Sequence, residues 1–115
     1  LEQMSKIIPI SIFSNINLEK TLSPLGIKPE WFTHILNASK MGSIKPALPG
    51  FYKVIKLSNV SPGEILYIGD ELEKDIIPAK TVGIKTGTVF KQFQKADYFF
   101  KDFRDILEFM EKRNL

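Results

Sequence analysis

The sequence contains no cysteine, so it can form neither a disulfide framework nor a thiolate-bound zinc site. This absence is compatible with the reducing cytoplasm, where we expect the protein to reside. The chain also lacks the run of about 20 apolar residues that a membrane-spanning helix needs, and it shows no signal-peptide pattern. Its single histidine, His34, has no second histidine or cysteine with which to share a metal. We therefore expect His34 to have a structural or surface role.

Charge and length also narrow the classes of function. The 16 basic and 13 acidic residues give a net charge of +3. They are scattered rather than clustered, which does not indicate a nucleic-acid-binding surface. With 115 residues, of which 43% are hydrophobic, we expect residues 1–115 to form a single domain core.

Strand patterns and helix patterns alternate along the chain. Strands are predicted at 7–13, 33–36, 65–68, 84–90 and 96–99, and helices at 18–25, from 51, at 73–82 and at 103–110. This alternation predicts an α/β fold with a mostly parallel sheet. Gly83 is predicted to end the third helix, and Pro78 lies near its first turn, where a missing N–H is tolerated.

The run from Ile65 to Asp75 is the most informative part of the sequence. An apolar strand leads into Gly69 and Asp70, and Asp75 falls in the first turn of the next helix. Ligands of parallel sheets bind at the carboxyl ends of the strands. Two carboxylates ~4 Å apart repel by ~4 kcal/mol near a surface, so a converging pair needs a cation such as Mg²⁺. Alternatively, both acids serve only to cap and stabilise the helix N-terminus, by ~0.3–1 kcal/mol.

Two further polar segments are candidates for binding an anion. Ser14 closes the first predicted strand, and its hydroxyl with nearby N–H groups can bind phosphate oxygens; the alternative is an ordinary Ser-Asn turn. Lys45 precedes Pro46, which keeps it extended, so it can place a point charge on a phosphate. The alternative for Lys45 is a solvated loop lysine. As a loop residue, Lys45 is expected to contribute little to packing even in the functional role.

The order of these segments resembles that of the haloacid dehalogenase (HAD) superfamily. The strand ending Phe-Ser-Asn is similar to the second motif of that family, Gly42-Ser-Ile-Lys-Pro46 to the third, and Tyr67-Ile-Gly-Asp-Glu-Leu-Glu-Lys-Asp75 to the fourth. Ala96-Asp97-Tyr98 matches the way the family's domain usually ends. The resemblance implies a Rossmann-like, three-layer sandwich and a magnesium-dependent hydrolase.

The resemblance also implies a role for each candidate residue. Ser14 would bind a transferring phosphoryl oxygen, and Asn15 would help to shape the loop. Lys45 would neutralise charge between the nucleophile and the phosphate. Asp70 would bind Mg²⁺ directly, whereas Asp75 would bind it through water or orient the site. Because true dehalogenases usually replace the Gly-Asp pattern of the fourth motif, this chain is expected to belong to a phosphatase acting on a small phosphorylated metabolite.

One departure from the family is large, because the sequence contains no Asp-x-Asp motif. The resemblance places the nucleophilic aspartate in that motif, so we expect this chain alone to be inactive. A non-catalytic binding or regulatory module is the rival interpretation. No segment long enough for a cap domain lies between Asn15 and Lys45.

The strand that would carry the Asp-x-Asp motif is also missing, so we expect the sheet to be incomplete at its N-terminal side. In the family, the missing strand lies between the strand ending at Ser14 and the strand ending at Gly69. We expect the gap to be filled by the protein's own missing N-terminal segment or by a second copy, rather than by direct pairing of those two strands.

Overall fold

Five short strands and three α-helices are present in the computed structural model, which describes residues 8–14, 28–37, 44–45 and 47–113. The elements are β1 (Ser11–Ser14), β2 (His34–Asn37), α1 (Leu48–Ser58), β3 (Leu66–Gly69), α2 (Ile77–Thr81), β4 (Lys85–Val89), β5 (Tyr98–Phe100) and α3 (Phe103–Arg113). A π-helical turn, Leu72–Ile76, leads into α2. The predicted α/β order is confirmed. No helix of the described residues has the length and apolar character needed to cross a membrane.

The strands form two parallel sheets rather than one. β1 pairs with β2, with Ser14 opposite Asn37. β3, β4 and β5 form the second sheet in that order, with Gly69 opposite Thr88. In the described part of the chain β1 and β3 do not pair, so the gap predicted between them is present. The incomplete sheet agrees with the predicted fold class.

Packing on both faces of the three-stranded sheet follows the alternation of side chains along β3. Leu66 and Ile68 pack with the cluster of Val89, Phe100 and Ile106, to which α3 contributes. Ile65 and Tyr67 pack on the opposite face. The cluster there consists of Phe51, Ala79 and Ile84, with partly buried neighbours that include Phe13 and Val82. Helices therefore cover both faces, as a three-layer arrangement requires.

Several element boundaries differ from the predicted ones, and two of the differences lie near a proline. β1 begins at Ser11 rather than at residue 7, and Ile8 to Ile10 lie outside it; Pro9 has no N–H to donate to a ladder. The helix predicted over 73–82 is instead a π-helical turn followed by α2, with Pro78 in the first turn as expected. Residues 1–7, Asn15 and the helix predicted at 18–25 lie outside the described residues.

Candidate active site

Lys45 lies where β1 and β3 both end. Its ammonium nitrogen is 5.5 Å from the ring centroid of Phe13 on β1 and 5.9 Å from the ring centroid of Tyr67 on β3. The side chain is only 13% exposed. Lys45 is therefore not a solvated loop lysine, and the expectation that it contributes little to packing is wrong.

A buried carboxylate holds this lysine. Lys45 Nζ lies 2.7 Å from Oδ1 of Asp75, whose side chain is 6% exposed. The Tyr67 hydroxyl donates a hydrogen bond to the same Oδ1 at 3.1 Å, and the Glu71 backbone N–H donates to Oδ2 at 3.3 Å. Breaking a buried ion pair by removing one partner typically costs ~3–5 kcal/mol. Asp75 thus fixes the direction of the Lys45 charge, and its binding of Mg²⁺ through water remains a prediction.

The local backbone explains how Asp75 reaches Lys45. The wide turn that contains Asp75 is closed by hydrogen bonds from the N–H groups of Asp75 and Ile76 to the Glu71 carbonyl oxygen. Its carboxylate then crosses the end of β3 above Gly69. A Cβ atom at position 69 would lie 2.6 Å from Asp75 Cγ, which is closer than carbon atoms approach. Only glycine leaves room for this carboxylate.

Tyr67 is a member of the site to which the sequence analysis assigned no role. Burial, and then the negative charge of Asp75, raise the pKa of its hydroxyl far above the usual value. The hydroxyl therefore keeps its proton and remains a donor to Asp75. Lys45 Nζ in turn donates to the Tyr67 oxygen at 3.2 Å. The alternation of side chains along β3 could have indicated this role, since it places Tyr67 on the opposite face from Leu66 and Ile68.

The remaining predicted site residues lie at strand ends. Ser14 is half-buried at the end of β1, and Asp70 is exposed immediately after β3. Asn15 lies outside the described residues. Among residues 8–14, 28–37, 44–45 and 47–113, no three His, Asp or Glu side chains are grouped so as to hold a metal by themselves. Asp70 could supply one carboxylate ligand, and other ligands would have to come from elsewhere.

Asp97 forms a second polar cluster, away from Lys45. Its Oδ2 accepts hydrogen bonds from the Thr86 backbone N–H at 2.8 Å and from the Thr86 hydroxyl at 3.1 Å. The Asp97 N–H donates back to that hydroxyl at 3.2 Å. The backbone hydrogen bond is the main cause that lowers the pKa of Asp97. These contacts join β4 to the segment before β5, so the geometry assigns Asp97 a structural role.

Comparison with known proteins places this arrangement in a family. The model of the haloacid dehalogenase-like hydrolase family matches residues 6–89. The chain belongs to this HAD-like family. It is 32% identical over 96 residues to a glyceraldehyde 3-phosphate phosphatase of Pyrococcus furiosus, an alignment that covers 74% of this chain and 39% of that protein.

Other relatives extend the same pattern. The chain is 33% identical over 76 residues to the 5-amino-6-(5-phospho-D-ribitylamino)uracil phosphatase YigB of Escherichia coli, covering 66% of this chain and 31% of that protein. The chain therefore spans well under half the length of these curated relatives. Both relatives are named as phosphatases.

Solved HAD structures share the fold. A HAD phosphatase from Thermococcus onnurineus superposes with a TM-score of 0.82 at 22% identity, over 95% of this chain and 54% of that chain. A 2-haloacid dehalogenase from Pseudomonas syringae gives a TM-score of 0.78 at 20% identity, over 96% of this chain and 49% of that chain. Because a phosphatase and a dehalogenase both match, with TM-scores of 0.82 and 0.78, the fold alone does not distinguish the two activities.

Proposed function

We propose that this chain forms the phosphate-binding and magnesium-binding part of a phosphatase that acts on a small phosphorylated metabolite through an aspartyl-phosphate intermediate. The observation that carries the proposal is the Lys45 ammonium, which Asp75 holds at 2.7 Å beside the ends of β1 and β3. A fixed positive charge at the carboxyl ends of parallel strands suits a phosphate group. The nucleophilic aspartate would come from a segment outside these 115 residues.

Each residue of the site has one task in this proposal. Ser14 at the end of β1 donates its hydroxyl to a phosphoryl oxygen, and Asn15 supports that loop. Lys45 offsets the negative charge of the phosphate and the nucleophile while phosphate is transferred.

The acidic residues suit a magnesium ion in different ways. Asp70 is exposed directly after β3, so its carboxylate is free to bind a cation, whereas Asp75 already accepts hydrogen bonds from Lys45 and Tyr67. Mg²⁺ usually takes only one or two carboxylates and completes its coordination with water and substrate phosphate. Asp70 as a direct ligand, with Asp75 acting through water or by orienting the site, fits that requirement. A bound Mg²⁺ would supply further neutralisation of phosphate charge.

A phosphatase is favoured over a dehalogenase by two facts. The two relatives compared by sequence are named as phosphatases. In addition, this chain has Gly69, Asp70 and Asp75 in its fourth motif, where true dehalogenases usually replace the Gly-Asp pattern. The lack of an Asp-x-Asp motif in this chain favours a second candidate, a non-catalytic module that binds a phosphorylated ligand. The two candidates differ in whether a segment outside these 115 residues supplies a nucleophilic aspartate to this site.

Turnover measurements separate these candidates. The purified 115-residue chain should not hydrolyse an aryl phosphate in the presence of Mg²⁺, whereas the complete gene product should do so. In the active protein, Asp70→Asn should lower turnover strongly at limiting Mg²⁺. Asp75→Asn should lower turnover as well, because it breaks the buried ion pair that holds Lys45. Glu108→Gln, an exposed acid on α3, is the matched control. Turnover by the 115-residue chain itself, or normal turnover by Asp70→Asn, would contradict the assignment.

The gap between the sheets also suggests a partner. Among the described strands, β1 pairs only with β2, and β3 pairs only with β4, so each has one unpaired edge. Strand edges that lack a partner strand tend to recruit another strand. We propose that a strand from a segment outside these 115 residues fills the gap. Light scattering tests the rival, a second copy, because that rival predicts a dimer of the isolated chain.

A further inference from the structure

Tyr67 contacts both charged partners of the buried ion pair. Its hydroxyl oxygen accepts a hydrogen bond from Lys45 Nζ at 3.2 Å and donates one to Asp75 Oδ1 at 3.1 Å. Lys45 Nζ donates directly to the same Oδ1 at 2.7 Å. The three polar atoms therefore form a closed triangle of hydrogen bonds.

This triangle restrains the ammonium group more than an ion pair alone. A tyrosine hydroxyl has one proton and two lone pairs, and here the proton is committed to Asp75 and a lone pair to Lys45. With a single contact, the ammonium could swing about Oδ1 on its flexible four-carbon stem. The contact to Tyr67 reduces that freedom and helps to fix the direction in which the charge points.

The ring of Tyr67 is held in turn by apolar packing. Its centroid lies 5.2 Å from that of Phe51 and 6.4 Å from that of Phe13. The Lys45 ammonium is attracted to the faces of the Phe13 and Tyr67 rings as well. The packing of the core thus fixes the position of the Tyr67 hydroxyl. The hydroxyl in turn fixes the lysine through its hydrogen bond with Nζ.

We propose that Tyr67 is a positioning residue that holds the Lys45 ammonium against Asp75, directed toward a phosphate at the ends of β1 and β3. The role of Tyr67 in turnover rests on the proposed function, but its hold on Lys45 does not. The two parts are therefore tested separately, with one variant that removes only the hydroxyl, Tyr67→Phe.

The first test follows the Lys45 ammonium protons by NMR in the purified chain. In the wild-type protein they should exchange slowly with water, and in Tyr67→Phe at least about tenfold faster, because a tenfold change corresponds to one hydrogen bond of ordinary strength. Tyr52→Phe removes an exposed hydroxyl on α1, and Asp97→Asn weakens the chain at the other polar cluster. Neither control should change the exchange of Lys45.

The second test measures turnover by the complete protein. Tyr67→Phe should lower kcat between about tenfold and about a hundredfold, the range expected for a displaced catalytic group, with a much smaller change in KM. An equal loss in Asp97→Asn would mean general destabilisation and would overturn the proposal.

Unchanged exchange of the Lys45 protons in Tyr67→Phe would overturn the proposal whatever the activity. If that variant does not fold, the wild-type chain decides, because the proposal requires a nuclear Overhauser effect between the Tyr67 ring and the Lys45 ε-methylene group. If the complete protein shows no turnover at all, the proposed function is wrong. The proton-exchange measurement still tests whether Tyr67 restrains Lys45.

Discussion

Gly69→Ala tests the geometry of the site by adding a single methyl group. The new Cβ would lie 2.6 Å from Cγ and 2.7 Å from Oδ2 of Asp75, whereas non-bonded carbon atoms prefer about 3.5–4.0 Å. Neither side yields easily, because Gly69 is paired with Thr88 in the sheet and Asp75 is bound to Lys45. The substitution should therefore push the Asp75 carboxylate away from the lysine.

The expected loss of stability follows from two limiting cases. If Asp75 stays in place, the added methyl overpacks the site at a cost of ~1–3 kcal/mol. If Asp75 is displaced, a buried ion pair is broken at a cost of ~3–5 kcal/mol. Replacing glycine also restricts the unfolded chain, which offsets ~0.4–1 kcal/mol. The free energy of unfolding should fall by up to ~2.5 kcal/mol in the first case and by ~2–4.5 kcal/mol in the second, or about 4 °C in Tm for each kcal/mol at this chain length.

Urea unfolding followed by circular dichroism measures this change, and Gly63→Ala is the matched control. A Cβ atom at Gly63 would meet no atom within 4 Å, so that variant should be as stable as the wild type or ~0.5 kcal/mol more stable. If Gly69→Ala is as stable as Gly63→Ala and its Lys45 protons still exchange slowly, Asp75 does not cross the end of β3 and the site has been misplaced.

Three further predictions concern stability. Because the pKa of Asp97 is lowered in the folded protein, the ionised Asp97 carboxylate contributes fully to stability above its usual pKa of about 3.8. This contribution is lost as the pH falls toward the folded-state pKa. Asp97→Asn should remove this part of the pH dependence in urea unfolding between pH 2 and 6. Lys45→Met keeps the apolar stem but leaves Asp75 without its cation, so the free energy of unfolding should fall by ~3 kcal/mol, and an unchanged value would show that the pair is not buried in solution. Phe51→Ala, at a fully buried position, should cost ~3–5 kcal/mol, whereas Tyr52→Ala at the neighbouring exposed position should cost far less; equal losses would contradict the assignment of the core.

Local patterns in the sequence predicted most of the fold. The apolar run 65–68 and the glycine after it predicted β3 and its end, and the structure places β3 at Leu66–Gly69. Gly83 was predicted to end a helix, and it lies just after α2 with a φ of +92°, a conformation that glycine adopts readily. These signals are carried by neighbouring residues, so they can be read without knowing the tertiary structure.

The burial of Lys45 could not be predicted in this way. Its partner Asp75 is 30 positions away in the sequence, and only the folded chain brings the two together. The width of the turn that contains Asp75 was equally hidden, because a π-helical turn has no sequence pattern distinct from that of an α-helix. The sequence therefore identified the candidate residues but not the contacts that hold them.

The aromatic side chains near the gap explain why stability and charge placement are coupled in this chain. Phe51 on α1 lies 5.2 Å, centroid to centroid, from both Phe13 on β1 and Tyr67 on β3. Among the described strands no backbone hydrogen bonds join β1 to β3, so these rings are what connects the two sheets at this point. The same Phe13 and Tyr67 rings face the Lys45 ammonium. A substitution that loosens this packing should therefore also loosen the contacts of the lysine with these rings, even though the residue replaced carries no charge.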